Sequence, residues 1–351
     1  MTADYDSSPP RKQVSRLGLY LPTILMLLLA AGWSGFWWYS SKLADREIDS
    51  FIQKEASEGR AWSCSDRSLG GYPFRLELRC GSVGLKAEQS GRPVEVSIGS
   101  LTVVAQIYNP RLVLADVQAP LALTIDGESA SAQWDAMRIS LRLSSGDVQR
   151  LSVSVAAPRI AHKNAAGFDL ATKADSAEIH LRPDLAQDQK AIDIAVLATG
   201  ASIPELDRLA DNATPANIEF SGIIVGVADA QPGSWKQAVE AWRRQNGRFE
   251  IKTAKVTKGA MQVEADGALD LDDDRRIRGK LNASATGAGP LLAKLGVSSG
   301  SNLQQALGGL LGKRADAIVG AAASLKWPVR FENGRVSIGP VRTPLQLSPL
   351  Y

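Results

Sequence analysis

Residues 137–158, MRISLRLSSGDVQRLSVSVAAP, alternate apolar and polar side chains through two consecutive segments. In the first segment Ile139 and Leu141 alternate with serine and arginine, and the second segment repeats the pattern from Leu151 onward. A period of two places the apolar side chains of a strand on one face and the polar side chains on the other. This stretch therefore predicts two β-strands that each have one apolar face.

The same alternation recurs along the chain, for example in residues 92–100 and 248–284, and Gly, Pro, Asn and Asp separate the segments. Such closely spaced strands leave little room for the crossover helices that parallel strands need. Asn333 and Gly334 form the pair that tight hairpins favour. We therefore expect a mainly β protein with a curved antiparallel meander, shaped as a groove or as a sandwich, and few helices.

An uncharged apolar stretch at residues 17–39 precedes these strands. At 1.5 Å per residue its 23 residues span about 34 Å, which is enough to cross a hydrocarbon core of about 30 Å. Arg11, Lys12 and Arg16 precede the stretch, so the positive-inside rule predicts a cytoplasmic N-terminus and an exported remainder. The residues expected to anchor the helix are Leu17 at its start and Trp33, Trp37, Trp38 and Tyr39 at the far interface.

This topology divides the chain into a cytoplasmic tail (residues 1–16), a transmembrane helix (17–39), a helical stalk (40–60) and a β-rich periplasmic domain (61–351). Two successive meanders within the domain would meet near residues 200–217. A cleaved signal peptide is the alternative to an anchor, although the apolar run is longer than an ordinary signal peptide requires.

Cys64 and Cys80 are the only cysteines of the chain. Their spacing is not that of a Cys-x-x-Cys redox centre, and the two histidines, His162 and His180, lie far downstream. In an exported, oxidising compartment a pair of this kind forms a disulfide, which would stabilise the fold by about 3 kcal/mol. We expect it to staple the first β-hairpin.

Two stretches carry a family resemblance: GRAWSCSDRSLGGYPFRLELRC (residues 59–80) and VRFENGRVSIGPVRTPLQLSPL (residues 329–350). Together with the apolar helix and the polar helix after it, they resemble domain-of-unknown-function family 2125, membrane-anchored envelope proteins of alphaproteobacteria. The resemblance implies a periplasmic protein anchored in the inner membrane, and it transfers no catalytic residue. More distantly, the pattern is similar to AsmA-like envelope proteins, whose extended β-sheets form apolar grooves for lipid.

Catalytic and metal-binding patterns are weak. Residues 296–300 match Gly-x-Ser-x-Gly around Ser298, but a helical rather than a strand-like segment precedes them and both histidines come earlier in the chain. Residues 272–274 are three aspartates in a predicted turn, where solvation explains them better than calcium. The net charge of +3 is spread without a basic stripe, so we do not expect nucleic-acid binding. We also expect no cofactor, because the sequence motifs indicate none.

The functional hypothesis follows from the many apolar strand faces and the few helices that could cover them. A helix at residues 302–325 is one candidate cover, and a helix carrying Trp235 and Trp242 on one stripe is another. Otherwise the faces pack against each other as a sandwich, or they leave a trough for acyl chains. We expect a non-enzymatic envelope protein that binds or transfers lipid or another apolar ligand; the alternatives are a structural or protein-interaction module and, third, a hydrolase.

Overall fold

The computed structural model describes residues 17–89, 92–125, 128–144, 147–163, 169–183, 190–227, 235–294 and 327–351. Within them the chain forms one long N-terminal helix, three short helices and 22 strands. All strand pairs are antiparallel, and the described strands form two open sheets. The mainly β, antiparallel architecture predicted from the alternation is confirmed.

The first element, α1 (Leu17–Ser57), is a single helix of 41 residues. At 1.5 Å per residue it is about 62 Å long, roughly twice the thickness of a hydrocarbon core. It continues without a break from the apolar stretch into the polar stretch that we described as a separate stalk. In the described part of the chain it is the one helix long and apolar enough to cross a membrane.

Seven strands form the smaller sheet, in which sequence order and spatial order agree. They are β1 (Arg60–Cys64), β4 (Val83–Gln89), β5 (Arg92–Ile98), β8 (Leu121–Ile125), β9 (Glu128–Gln133), β12 (Arg159–Lys163) and β13 (Asp169–Lys173).

Fifteen strands form the larger sheet, again in sequence order. They are β2 (Ser68–Gly70), β3 (Arg75–Cys80), β6 (Leu101–Gln106), β7 (Asn109–Val117), β10 (Ala136–Ser144), β11 (Asp147–Ala156), β14 (Ser176–Pro183), β15 (Ala191–Ala201), β16 (Ala216–Val225), β17 (Arg248–Lys258), β18 (Met261–Leu271), β19 (Ile277–Thr286), β20 (Trp327–Glu332), β21 (Arg335–Ile338) and β22 (Val341–Gln346). The predicted hairpin turn is confirmed, since Asn333 and Gly334 join β20 to β21 with φ angles of 51° and 71°.

The chain passes repeatedly from one sheet to the other through links of two or three residues. Each of six links contains a bend, at Gly81, Gly99, Ala119, Asp135, Ala157 and Asp175. Backbone hydrogen bonds connect neighbouring links, as between Gln118 N–H and the Ser100 carbonyl (2.8 Å) and between Ala157 N–H and the Asp175 carbonyl (2.8 Å). The two sheets therefore behave as one sheet folded along a line of bends, which we call the crease.

Gly99 shows how closely the backbones approach at the crease. A Cβ atom at this position would lie 2.6 Å from the carbonyl oxygens of both Gln118 and Ala119. Real Cβ atoms do not approach backbone oxygens so closely, and the Gly99 N–H also donates to the Pro120 carbonyl (2.9 Å). Any larger residue at 99 would push two neighbouring links apart.

Three short helices accompany the larger sheet: α2 (Pro204–Ala210), α3 (Trp235–Arg244) and α4 (Gly289–Lys294). The helix α2 lies within the interval where we expected two meanders to meet. The strands before and after it, β15 and β16, pair directly, so the larger sheet continues across this interval. In α3, Trp242 donates a hydrogen bond to the Val225 carbonyl (2.9 Å), whereas Trp235 is half exposed beside Tyr351.

Candidate functional site: an apolar trough

Cross-strand register places the apolar side chains of the larger sheet in continuous rows on one face, because directly paired residues of antiparallel strands point to the same side. The row beside the crease consists of Cys80, Leu101, Val117, Met137, Val155, Ala177, Ala198, Ile218, Val256, Val263 and Ala285. The next row consists of Leu78, Val103, Ala115, Ile139, Val153, Ile179, Val196, Phe220, Ala254, Ala265, Ala283 and Trp327.

The smaller sheet has a matching apolar face. Its row beside the crease consists of Cys64, Val83, Ile98, Leu121, Ala132 and Ile160. The next row consists of Trp62, Leu85, Val96, Leu123 and Ala130. Each sheet therefore offers an apolar surface that begins at the crease and extends outward.

The cysteine pair shows that the two apolar surfaces lie on the same side of the folded sheet. Cys64 ends β1 of the smaller sheet, Cys80 ends β3 of the larger sheet, and their sulfurs lie 1.96 Å apart, at disulfide distance. Both belong to the apolar rows. The bond would thus join the two sheets across the crease, which corrects our expectation that it staples the two strands of one hairpin.

The apolar faces of the two sheets meet at the crease. Cys80 and Val117, in the row beside the crease, are buried, as is Trp134 of a crease link. The Trp134 indole N–H donates to the Val117 carbonyl (2.8 Å), which ties one link to the neighbouring strand. Two apolar walls therefore diverge from a packed crease, and we call the space between them the trough.

Parts of both walls are incompletely covered. Ile179 of the larger sheet is 40% exposed and Ile160 of the smaller sheet is 44% exposed, although both lie in the apolar rows. The other row members that flank them, such as Val153 and Val196, are only half-buried. Sheets packed face to face as a sandwich would bury these side chains, because their inner residues interdigitate.

The opposite face of the larger sheet is polar. Here Arg182 pairs with Asp193 (2.7 Å), and His180 contacts both Ser152 (3.0 Å) and Glu178 (3.1 Å). Burial acts to raise the pKa of Asp193, but hydrogen bonds from Arg182 and Lys252 bring the pKa below its ordinary value. Asp193 is largely shielded from solvent on this face, with its side chain 16% exposed, and ion pairs with Arg182 and Lys252 hold it there.

The helix α1 runs beside the first strand of each sheet, β1 and β2, which are edge strands. Arg67, just after the first crease position, pairs with Asp45 (3.1 Å) and Asp49 (2.7 Å) on α1. Nearer the helix end, Arg60 donates two hydrogen bonds to Glu55 (2.6 and 2.8 Å). These contacts cover the strand edges at which the trough begins.

Glu55 is also tied to the trough wall. The hydrogen bond from Arg60 lowers the pKa of the Glu55 carboxyl from its ordinary value of 4.5 to about 2, and the Trp62 indole N–H (3.3 Å) acts in the same direction. Trp62 belongs to an apolar row of the smaller sheet. An ionised Glu55 therefore links the end of α1 to the first strand of the trough.

Beyond β13 the smaller sheet ends, and α2 and α4 cover the larger sheet instead. Ala210 of α2 and Ala288 beside α4 pack with Met261 into a buried cluster. Lys258 of β17, which is fully buried, donates to the Asp207 carboxylate of α2 and to the Thr214 carbonyl. The two-walled part of the trough therefore lies between α1 and α2.

The sequence-predicted anchor residues differ in their surroundings. Trp33 and Trp37 donate hydrogen bonds to the carbonyls of Pro73 (2.8 Å) and Arg75 (2.9 Å), whereas Trp38 and Tyr39 are exposed. Leu17 begins α1. Whether the aromatic residues lie at a membrane interface stays a prediction.

The remaining candidates do not form a reaction centre among the described residues. The aspartates at residues 272–274 form a turn in which Asp272 accepts from the backbone N–H of Arg276 (2.8 Å). No group of three potential metal ligands occurs in the described ranges. Three sequence predictions lie outside the described residues. They concern Ser298 within residues 296–300, the covering helix at residues 302–325, and the side chain of His162.

Sequence reasoning did not identify Trp62, Trp134, Ile160 or Ile179 as parts of one surface. Alternation assigns each of them a strand or a turn, but their common location depends on strand register and on the crease. The repeated two-residue links between alternating segments, such as Gly81–Ser82 and Gly99–Ser100, are the sequence signal that could have revealed the fold line.

Comparison with curated proteins yields no match. A family model does match, over residues 37–346, and its description reads "uncharacterized protein conserved in bacteria". The match covers most of the chain, including every strand of both sheets and the outer half of α1. The chain is a member of domain-of-unknown-function family 2125.

Proposed function

We propose that the protein is a non-enzymatic membrane-anchored component of the bacterial envelope whose trough binds the acyl chains of a lipid or another apolar ligand. The observation that carries the proposal is the pair of apolar walls that diverge from the crease and stay partly exposed at Ile160 and Ile179. Strand register makes the apolar rows around these two residues contiguous, and a contiguous exposed apolar surface typically marks a binding site.

The trough is long enough for an acyl chain. Seven strands with a spacing of about 4.8 Å give the two-walled part a length of about 29 Å. A single leaflet contributes about half of the 30 Å hydrocarbon core, so one acyl chain spans roughly 15 Å. Each buried methylene contributes about 0.8 kcal/mol, so ten methylenes in contact with the walls contribute about 8 kcal/mol before the cost of association.

The proposed location is the inner membrane, with α1 as a single span and the sheets in the periplasm. Arg11, Lys12 and Arg16 before the span favour a cytoplasmic N-terminus. The placement of Cys64 and Cys80 at disulfide distance suits an oxidising compartment. Both features support export of the residues that follow the span.

Mass spectrometry of lipids that copurify with the full chain in mild detergent tests the proposal. The control is an unrelated single-span protein extracted in the same way. We expect one lipid class to be enriched over the control. Equal lipid profiles, together with crosslinking to one protein partner, would instead support a structural or protein-interaction module.

A further inference from the structure

Two neighbouring turns of the larger sheet expose aromatic side chains beside α1. The turn between β2 and β3 contains Tyr72 and Phe74, and the turn between β6 and β7 contains Tyr108. The three aromatic residues are 57%, 61% and 64% exposed, respectively. We call these two turns, residues 71–74 and 107–108, the proximal rim.

Hydrogen bonds fix the position of the proximal rim along α1. Besides the bonds from Trp33 to Pro73 and from Trp37 to Arg75, the Ser34 hydroxyl lies 2.8 Å from the Tyr72 hydroxyl. The rings of Trp37 and Tyr72 meet edge to face with centroids 5.4 Å apart.

The second turn of the proximal rim is fixed to the first, because the Ile107 N–H donates to the Phe74 carbonyl (3.1 Å). Gly71 allows the first turn to form: its φ is 98°, and a Cβ atom there would lie 2.8 Å from the Arg75 carbonyl oxygen. The backbone hydrogen bond and the glycine therefore fix the conformation of the proximal rim.

Other contacts of α1 show that the strands extend from the proximal rim toward the C-terminal end of α1. Arg67, beside the crease, contacts Asp45 and Asp49, whereas Arg60 contacts Glu55. The turns at the other end of the strands consequently lie near the C-terminal end of α1. The described residues that flank these opposite turns include Glu88, Arg92 and Glu128. The distance along the helix from Trp33 to Glu55 is about 33 Å.

Helix geometry gives the depth of the proximal rim in a bilayer. Trp33 lies 16 residues after Leu17, or about 24 Å along α1, and Tyr39 lies about 33 Å along it. A hydrocarbon core of about 30 Å that begins near Leu17 therefore ends between these two residues. The backbone carbonyls of Pro73 and Arg75, which accept from Trp33 and Trp37, therefore fall at the boundary between hydrocarbon and headgroups.

We propose that the proximal rim inserts Tyr72, Phe74 and Tyr108 into the headgroup layer of the same bilayer that α1 spans. Aromatic side chains favour this layer because one part of each ring is apolar and, in tyrosine, another part is polar. The inference rests on the anchoring part of the proposed function and not on lipid binding. It places Leu76, the first inward residue of β3, within two residues of the bilayer surface.

Depth-dependent fluorescence quenching tests this inference. Tyr108→Cys in the full chain is labelled with an environment-sensitive fluorophore and reconstituted into phosphatidylcholine–phosphatidylglycerol vesicles whose lipids are spin-labelled either near the headgroup or deep in the acyl chain. The native cysteines stay bonded under non-reducing conditions. Glu128→Cys, at the opposite turns, is the matched control, and Leu25→Cys, in the middle of the span, reports on the anchor.

We expect the Tyr108→Cys label to be quenched several-fold more strongly than the Glu128→Cys label, and the Leu25→Cys label to respond to quenchers deep in the bilayer. Equal exposure to water at positions 108 and 128, with position 25 still deep, would overturn the rim proposal alone. Water exposure at position 25 would overturn the anchor as well. Tyr72→Cys provides a second probe of the rim if the first variant does not fold.

Discussion

Replacement of Ile179 by glutamate places a carboxylate in the wall of the trough with little cost to the fold. Ile179 lies in the middle of an apolar row yet is already 40% exposed, so its substitution loses only part of the 1.5–3 kcal/mol of a fully buried isoleucine. Leu197→Lys is the control, since Leu197 is 39% exposed on the adjacent strand but points to the polar face, where its direct neighbours are Glu178 and Glu219 and a lysine has opposite charges on both sides.

The expected effect on ligand binding is large. A carboxylate at position 179 would exclude the acyl chain from the part of the wall around it. We take the excluded part of the acyl chain as about four methylenes. At about 0.8 kcal/mol each, the loss is about 3 kcal/mol, or roughly 100-fold in affinity. The control variant should bind as the unmodified protein does.

Lipid retained per mole of protein after extraction in mild detergent measures this effect, with circular dichroism to show that both variants are folded. Retention should fall to background in Ile179→Glu and stay unchanged in Leu197→Lys. Equal retention in Ile179→Glu and the unmodified protein would refute the proposed role of the trough, as would an equal loss in both variants.

Three further predictions concern stability. Cys64→Ser should lower the free energy of unfolding by about 3 kcal/mol, because a link between residues 16 positions apart is lost; thermal unfolding that is insensitive to the substitution and to reductant would contradict this. Lys258→Ala should cost about 1.5–3 kcal/mol in chemical denaturation, since it removes hydrogen bonds to the partly exposed carboxylate of Asp207 and to the Thr214 carbonyl; a cost below 1 kcal/mol would argue against that pairing. The pKa of Glu55 is depressed in the folded state, so its contribution to stability is present above pH 4.5 and is lost as the pH falls toward 2; Glu55→Gln should flatten the stability profile in that window and Arg60→Gln should do the same, whereas an unchanged profile would contradict the coupling.

The strands and their apolar faces follow from sequence, whereas the folding of one meander into two walls does not. Alternation of the kind found around Ile139 depends on the local side-chain period, so one sequence suffices to predict it. The crease depends on short links, such as that at Gly99, which look like ordinary turns until hydrogen bonds between successive links are known. The sequence indicates the residues of the trough walls but not their convergence.

The sequence also does not predict that α1 is one continuous helix or which turns of the sheet it contacts. Hydrophobicity changes near Tyr39 suggested a span followed by a stalk, but helix propensity continues through both parts, so the structure forms one rod. The use of Trp33 and Trp37 as hydrogen-bond donors to the first turn depends on how the β-domain folds back along that rod. Aromatic residues predicted only as membrane anchors therefore also position the sheet.

Photocrosslinking from the trough wall in living cells shows whether lipid occupies the trough. A benzophenone amino acid would replace Val153, in an apolar row, or Ser154, its exposed neighbour on the opposite face of β11. If lipid occupies the trough, irradiation attaches lipid to the protein from position 153 and not from position 154. Lipid adducts that are absent at 153, or equally abundant at both positions, would contradict lipid occupancy of the trough.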